Sequence, residues 1–197
     1  TSGLAATPMP SSSAHRRLAA SLIADVYRDQ RLAAMVPAPG DLVEGLAFLE
    51  TLPVPWVSAN LRRRDGSAPF PAHRIVRVGG EVVAIVGLSA PTTGTDFAVE
   101  EASAVWRRAL DALTKDRATR LVVLSALGIS ATAELVGRSP LPTIVVASTT
   151  FEAPDKPRRF DSGLVAVETE PEGKHLGVVH FSGDGELVEL DATWKNV

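Results

Sequence analysis

The chain has 197 residues, 45% of them hydrophobic and 22% charged, with a formal net charge of −3; this is the composition of an ordinary globular protein, long enough to bury a core in one domain. A mildly acidic chain without a basic stripe lacks the electrostatic footprint of a nucleic-acid binder, and its one arginine cluster, Arg62 to Arg64, falls in a predicted loop. The absence of cysteine excludes disulfides, thiolate metal ligands and cysteine nucleophiles, and no apolar run reaches the roughly 18 residues that span a bilayer as a transmembrane segment.

Residues 1–13 are small, polar and proline-containing, a flexible leader without the basic and apolar regions of a signal peptide, and a single domain is expected over 14–197. From Ala14 to Gln30, Leu18, Leu22 and Val26 recur every four positions, the stripe of a helix lying on a core. Leu32 to Val36 reads as a short buried strand, and a second helix is expected to start at Asp41 as its N-cap, with Leu42, Val43, Leu46 and Leu49 facing inward. Pro55 to Leu61 reads as a strand. Arg74 to Val78, Gly79-Gly80 and Val82 to Leu88 have the pattern of a β-hairpin.

A third helix is expected from Ala98 to Lys115, burying Val105, Ala109 and Leu113, and it leads into Leu121 to Leu124, a branched run suited to a sheet covered on both faces. A short helix around Ala131 to Val136 and a strand from Thr143 to Ala147 follow. After the charged, proline-broken stretch Asp155 to Arg159, the segments Leu164 to Val167, Gly177 to Phe181 and Leu187 to Leu190 read as antiparallel strands. Strands alternating with helices and then running on as strands imply an α/β layered sandwich.

The chain carries no G-x-S-x-G elbow, no G-x-x-x-x-G-K-[ST] phosphate loop and no G-x-G-x-x-G turn. Of its four histidines, His15 sits beside Arg16 and Arg17 on a helix, His73 precedes a strand, and His175 and His180 are five apart, on opposite faces of any straight strand. None is placed to share a metal. Glu100 and Glu101 suit the positive end of a helix dipole. Trp56 and Trp106 are expected in the core, and Trp194 at an interface.

Four segments, in order, carry a family resemblance. Val54 to Leu61 (VPWVSANL) resembles a strand written FPVLSANV in 5′-nucleotidases, and Arg74 to Leu88 is similar to the hairpin that follows it there. Leu121 to Gly128 (LVVLSALG) takes the place of the segment ending in SHLG, and Gly173 to Gly177 resembles a later glycine turn. Over about Asp41 to Phe181 the chain thus resembles the calcineurin-type metallophosphoesterases of the 5′-nucleotidase group. The resemblance implies a layered α-β-β-α sandwich of the metallophosphoesterase type, incomplete at its N-terminus, because the Asp-x-His and Gly-Asp motifs that come first in the family are absent here.

In that family two divalent cations activate the attacking water and neutralise charge on phosphorus. The ligand positions, carried over one by one, are altered. Pro39 stands for the ligand asparagine and Gly40 for the catalytic histidine of the GNHE/D motif, leaving Asp41 as the match, which a helix cap also explains. Ala126 stands for the SHLG histidine, and Ser148 and Thr150 stand for the two histidines of a GHSH motif. Neutral hydroxyls and methyls replace imidazoles, and hydroxyls are poor ligands for a transition metal. The expectation is a catalytically inactive, metal-free module (cofactors: none; catalytic and metal residues: none) that binds a protein partner, not nucleic acid, in a periplasmic or exported assembly. Small side chains at the old rim leave a groove near Asn60, Ser125 and Thr149. The alternative is a working metal-dependent phosphohydrolase whose missing ligands come from a segment or partner outside this chain.

Overall fold

The Gly79-Gly80 pair, with φ of 57° and 86°, makes the tight turn that only residues tolerant of positive φ allow, and it joins β2 (His73–Val78) to β3 (Glu81–Leu88) as an antiparallel hairpin with Val78 opposite Glu81. The computed structural model describes residues 12–148, 158–160, 164–169, 175–176 and 195–196. From β3 the sheet continues through β5 (Arg120–Ser125), β6 (Thr143–Ser148) and β8 (Val165–Thr169), all parallel, and ends at β7 (Arg158–Arg159), giving the order β2-β3-β5-β6-β8-β7. β8 was expected to be antiparallel; it is parallel to β6, and the antiparallel neighbour is β7, within the stretch read as broken. The expected strands 177–181 and 187–190 lie outside the described residues. Two short ladders complete the described strands: β1 (Leu61–Arg63) with β4 (Phe97–Val99), and β9 (His175–Leu176) with β10 (Lys195–Asn196).

Period-two alternation aligns the core in rows. Val86, Val123, Val145 and Ala166 stand side by side across four strands, on the face covered by α3 (Ala102–Lys115) and α4 (Ile129–Val136). α3 buries Val105, Ala109 and Leu113 as expected, and Trp106 with them. Val105 and Leu113 each contribute about 1.5–3 kcal/mol by full withdrawal from water. The helix starts at Ala102 rather than Ala98, because residues 97–99 are extended as β4 and Phe97 is buried in a second cluster with Leu42, Leu46, Leu49, Trp56 and Leu61.

α1 (Ser13–Asp29) forms where the periodicity places it, capped by Ser12, whose Oγ accepts from His15 N–H at 3.3 Å. Its orientation differs from expectation. Leu18, Leu22 and Val26 are exposed, and Ala24 is the buried residue. Charge decides the rotation: Arg16 and Arg17 donate to the Glu44 carboxylate at 2.6 and 3.0 Å, Ser13 Oγ donates to the same group, and the Arg17 guanidinium lies 5.1 Å from the Phe48 ring centre. These contacts turn the small-residue side of the helix inward.

Asp41 is not a helix N-cap. The chain turns over residues 38–41, with Asp41 N–H donating to Ala38 carbonyl at 3.0 Å and Ala38 N–H donating to Asp41 Oδ2 at 2.9 Å. α2 (Leu46–Leu49) starts later, behind Gly45 at φ 86°, and its first N–H is capped by Asp96 Oδ2 at 2.8 Å, fifty residues along the chain. The expected strand 32–36 is reduced to one parallel bridge, Met35 to Trp56.

The segment after Trp56 runs hard against β3. Val57 N–H donates to Met35 carbonyl at 2.9 Å, Ser58 N–H to Pro71 carbonyl at 2.9 Å and Ala59 N–H to Gly87 carbonyl at 2.8 Å. A Cβ on Gly87 would stand 2.0 Å from the Val57 carbonyl oxygen, so glycine is required there by contact rather than by turn geometry.

Gly87→Ala should lower the unfolding free energy by on the order of 3 kcal/mol in urea titration, whereas Gly40→Ala, with nothing within 4 Å of the added carbon, should be close to neutral. Glu44 is held down to about 2 by the Ser13, Arg17 and Arg16 donors against a reference of 4.5. A lowered acid stabilises the fold fully above its unfolded value, so the anchoring of α1 should weaken as pH falls from about 4.5 toward 2; amide protection factors in α1, which divide out the intrinsic pH dependence of exchange, should fall over that range in the parent and fall less in Glu44→Gln.

Candidate functional site

In open parallel sheets, chemistry collects at the carboxyl ends of the strands. Here that edge is in register: Leu88, Ser125, Ala147 and Glu168 stand in one row, and Ser89, Ala126, Ser148 and Thr169 come next along β3, β5, β6 and β8. Two of the positions singled out in the sequence, Ala126 and Ser148, are therefore brought to the same edge. Ser148 is exposed, and Ala126 N–H donates to Leu88 carbonyl at 2.9 Å.

Asn60 is the polar centre of this edge, and it is 1% exposed. Its Nδ2 donates to the carbonyls of Ser89 at 2.9 Å and Glu100 at 3.1 Å, and its Oδ1 accepts from Ser89 N–H at 2.9 Å and from Ser58 Oγ at 3.3 Å. Every hydrogen-bonding site of the amide is used. Ser58 Oγ also lies 2.9 Å from Ser89 Oγ and accepts from Leu61 N–H at 3.1 Å. Asn60 therefore ties three segments, 58–61, 88–89 and Glu100 ahead of α3.

Ser125 forms a second node. Its Oγ lies 2.6 Å from Thr132 Oγ1 and accepts from Leu127 N–H at 3.1 Å, while Thr132 Oγ1 lies 2.6 Å from the Gly128 carbonyl. Both residues are buried, so these hydroxyls hold α4 to the end of β5. Beside the two nodes lies an open groove of about 670 Å³ between the start of α3 and α4, lined among others by Asn60, Glu100, Ser103, Leu127, Glu134 and Arg138. Glu100 is paired there with Arg62 at 2.8 Å and Arg108 at 3.2 Å.

The remaining sequence-predicted positions divide. Pro39 lines a cleft with Thr92 to Phe97, and Gly40 and Asp41 line a cavity against α1; neither cavity includes Ala126 or Ser148. Burial pushes the Asp41 acid upward, and the Ala38 N–H opposes this in part. Thr149 and Thr150 lie outside the described residues, as do His180 and Trp194. His15 is exposed, and His73 opens β2 with Nε2 2.6 Å from Asp116 Oδ2. Among the described residues, no three His, Asp or Glu side chains gather in a group able to hold a metal ion, and no helix is long and apolar enough to cross a membrane. The partners that complete the nodes, Ser89 and Thr132, carry no local motif; they become recognisable only when segments 29 residues apart, or a strand end and the next helix, are placed together.

The sulfate thiohydrolase SoxB of Thermus thermophilus superposes with a TM-score of 0.69 at 22% identity, covering 80% of this chain and 31% of that one. A 5′-nucleotidase precursor from Thermus thermophilus gives 0.66 at 22% identity over 91% of this chain and 41% of its own. The calcineurin-like phosphoesterase YfkN of Bacillus subtilis gives 0.65 at 16% identity over 88% of this chain and 64% of its own. The fold is of the metallophosphoesterase type. The chain spans about a third to two fifths of the length of the first two relatives. No family model matches the sequence, and no curated protein does.

Substitution at the first node separates scaffold from chemistry. Asn60→Ala should cost about 2–4 kcal/mol by stranding two buried carbonyls and an N–H. Asn60→Asp sets a carboxylate against those carbonyls, which favours its protonated form. An acid raised in the fold binds more protons folded than unfolded, so the variant's deficit against the parent should be smallest below about pH 4 and grow as pH rises. Urea midpoints measured across that range test both.

Proposed function

We propose that this chain is a metallophosphoesterase-fold module that does not hydrolyse phosphate esters by two-metal chemistry and that serves as a binding or structural element for a protein partner in an exported or periplasmic assembly. The observation that carries the reading is the strand-end edge, where the positions expected to supply imidazoles hold Ala126 and Ser148, and where the neighbouring polar groups, Asn60 and Ser125, are spent on backbone and hydroxyl partners. Two-metal hydrolysis needs ligands that both hold the cations and leave positions open to water and substrate. A methyl and a hydroxyl do not supply them.

The partner would meet the groove between α3 and α4, whose lining includes Leu127, next to Ala126 in the chain. Glu100, Glu134 and Arg138 give it a mixed-charge lining with Leu127 and Leu135 between them, the alternation of polar rim and apolar patch found at transient protein interfaces. The exported setting is carried over from the sequence resemblance to the 5′-nucleotidase group.

Metal content is the test. After incubation of the chain with manganese or zinc and removal of free ion, mass spectrometry should find less than about a tenth of an equivalent, since a competent structural or catalytic site retains its ion with many kcal/mol of binding free energy. One or two equivalents, together with hydrolysis of a phosphate monoester abolished by chelator, would replace this reading with that of a working phosphohydrolase.

A further inference from the structure

Between α1 and the 35–56 region lies a cavity of about 160 Å³ that the strand-end edge does not share. Ala24, Met35, Phe48, Leu49, Leu52 and Trp56 make its walls predominantly apolar. The cavity is partly open to solvent, and its volume matches that of a single ring-sized apolar group.

Three charged residues, Arg16, Asp41 and Glu44, also line it, and Arg16 and Glu44 are paired with each other. Asp41 is partly buried and lines the cavity. Its Oδ2 accepts the Ala38 N–H at 2.9 Å, and among the described residues its second carboxylate oxygen has no hydrogen-bond partner and the group has no pairing cation. Arg16, the guanidinium that also lines the cavity, is held by the Glu44 carboxylate at 2.5 Å. Partial burial pushes the Asp41 acid upward, and an ammonium seated beside the carboxylate would supply a countercharge. Trp56 and Tyr27 add aromatic rings to the wall, and ring faces attract an organic cation; the Phe48 ring already carries the Arg17 guanidinium at 5.1 Å.

We propose that this cavity is a binding site for a small organic ammonium, its ring-sized apolar body against the walls and its N–H donated to the open oxygen of Asp41. The inference is independent of the reading of the strand ends, since no residue of that edge lines the cavity.

Isothermal calorimetry on the full chain at neutral pH, with benzylammonium, toluene and benzoate as probes, tests it. Benzylammonium should bind, benzoate should not, and toluene should bind more weakly than benzylammonium. Asp41→Asn keeps an acceptor for Ala38 N–H but loses the charge, and should weaken benzylammonium about tenfold to a hundredfold without lowering the melting temperature. Ala20→Leu, which fills the cavity from α1, should abolish binding with Asp41 in place. Equal affinity for toluene and benzylammonium, an unchanged affinity in Asp41→Asn, binding that survives Ala20→Leu in a folded variant, or no binding of benzylammonium at millimolar concentration would each overturn the proposal.

Discussion

The contact between Gly87 and the Val57 carbonyl governs how this fold is assembled. Because β3 has no side chain at that point, a separate backbone segment lies on it closely enough to exchange hydrogen bonds, Ala59 N–H to Gly87 carbonyl at 2.8 Å. The approach brings Asn60 to Ser89, and through the Glu100 carbonyl it sets the start of α3. The second cluster, built on Leu42, Leu46, Leu49, Trp56, Leu61 and Phe97, is joined to the sheet through this same strip of chain. A fully bonded buried amide reinforces the contact because its alternatives leave polar groups unpaired, at a cost greater than the net worth of the bonds themselves.

Much of the sheet was legible because its signals are local. The Gly79-Gly80 turn, the branched run of β5 and the stripe Val105, Ala109, Leu113 each carry period and punctuation within a few residues, and each is found where expected. Errors arose where a distant residue decides the outcome. Asp41 has the composition of a cap, yet α2 is capped by Asp96, which no window around Asp41 contains. Leu18, Leu22 and Val26 form a regular stripe, but the Glu44 carboxylate and Phe48 fix the helix by its arginines, so periodicity gave the element and misplaced its face. The direction of β8 was misread for a related reason: apolar alternation reports burial and is silent on whether a neighbour runs parallel.

The resemblance in the sequence worked on a different footing. Four weak segments in a fixed order pointed to the fold that the superpositions show, although identity to those structures is only 16–22%. Order and spacing outlast side chains because packing constrains them, whereas the chemistry of an edge is free to change when its residues no longer act on a substrate. In this chain the hydroxyl and amide groups near the strand ends serve as mortar between segments, Ser58 to Ser89 and Ser125 to Thr132. The candidate site was thus only partly readable: Ala126 and Ser148 could be placed from the motif, but the saturation of Asn60 depends on partners that lie 29 and 40 residues away.

α1 differs in kind from the helices on the sheet. It buries one residue, Ala24, keeps Leu18, Leu22, Ile23 and Val26 in water, and is fastened near its N-terminal end by charge. Heat capacity on unfolding tracks the apolar area newly exposed to solvent. The large apolar side chains of α1 are already hydrated, so the apolar area its release would add comes mainly from the wall it covers, Phe48, Leu52 and Trp56 among others, and its share of the heat-capacity step would be small beside that of the sheet with α3 and α4.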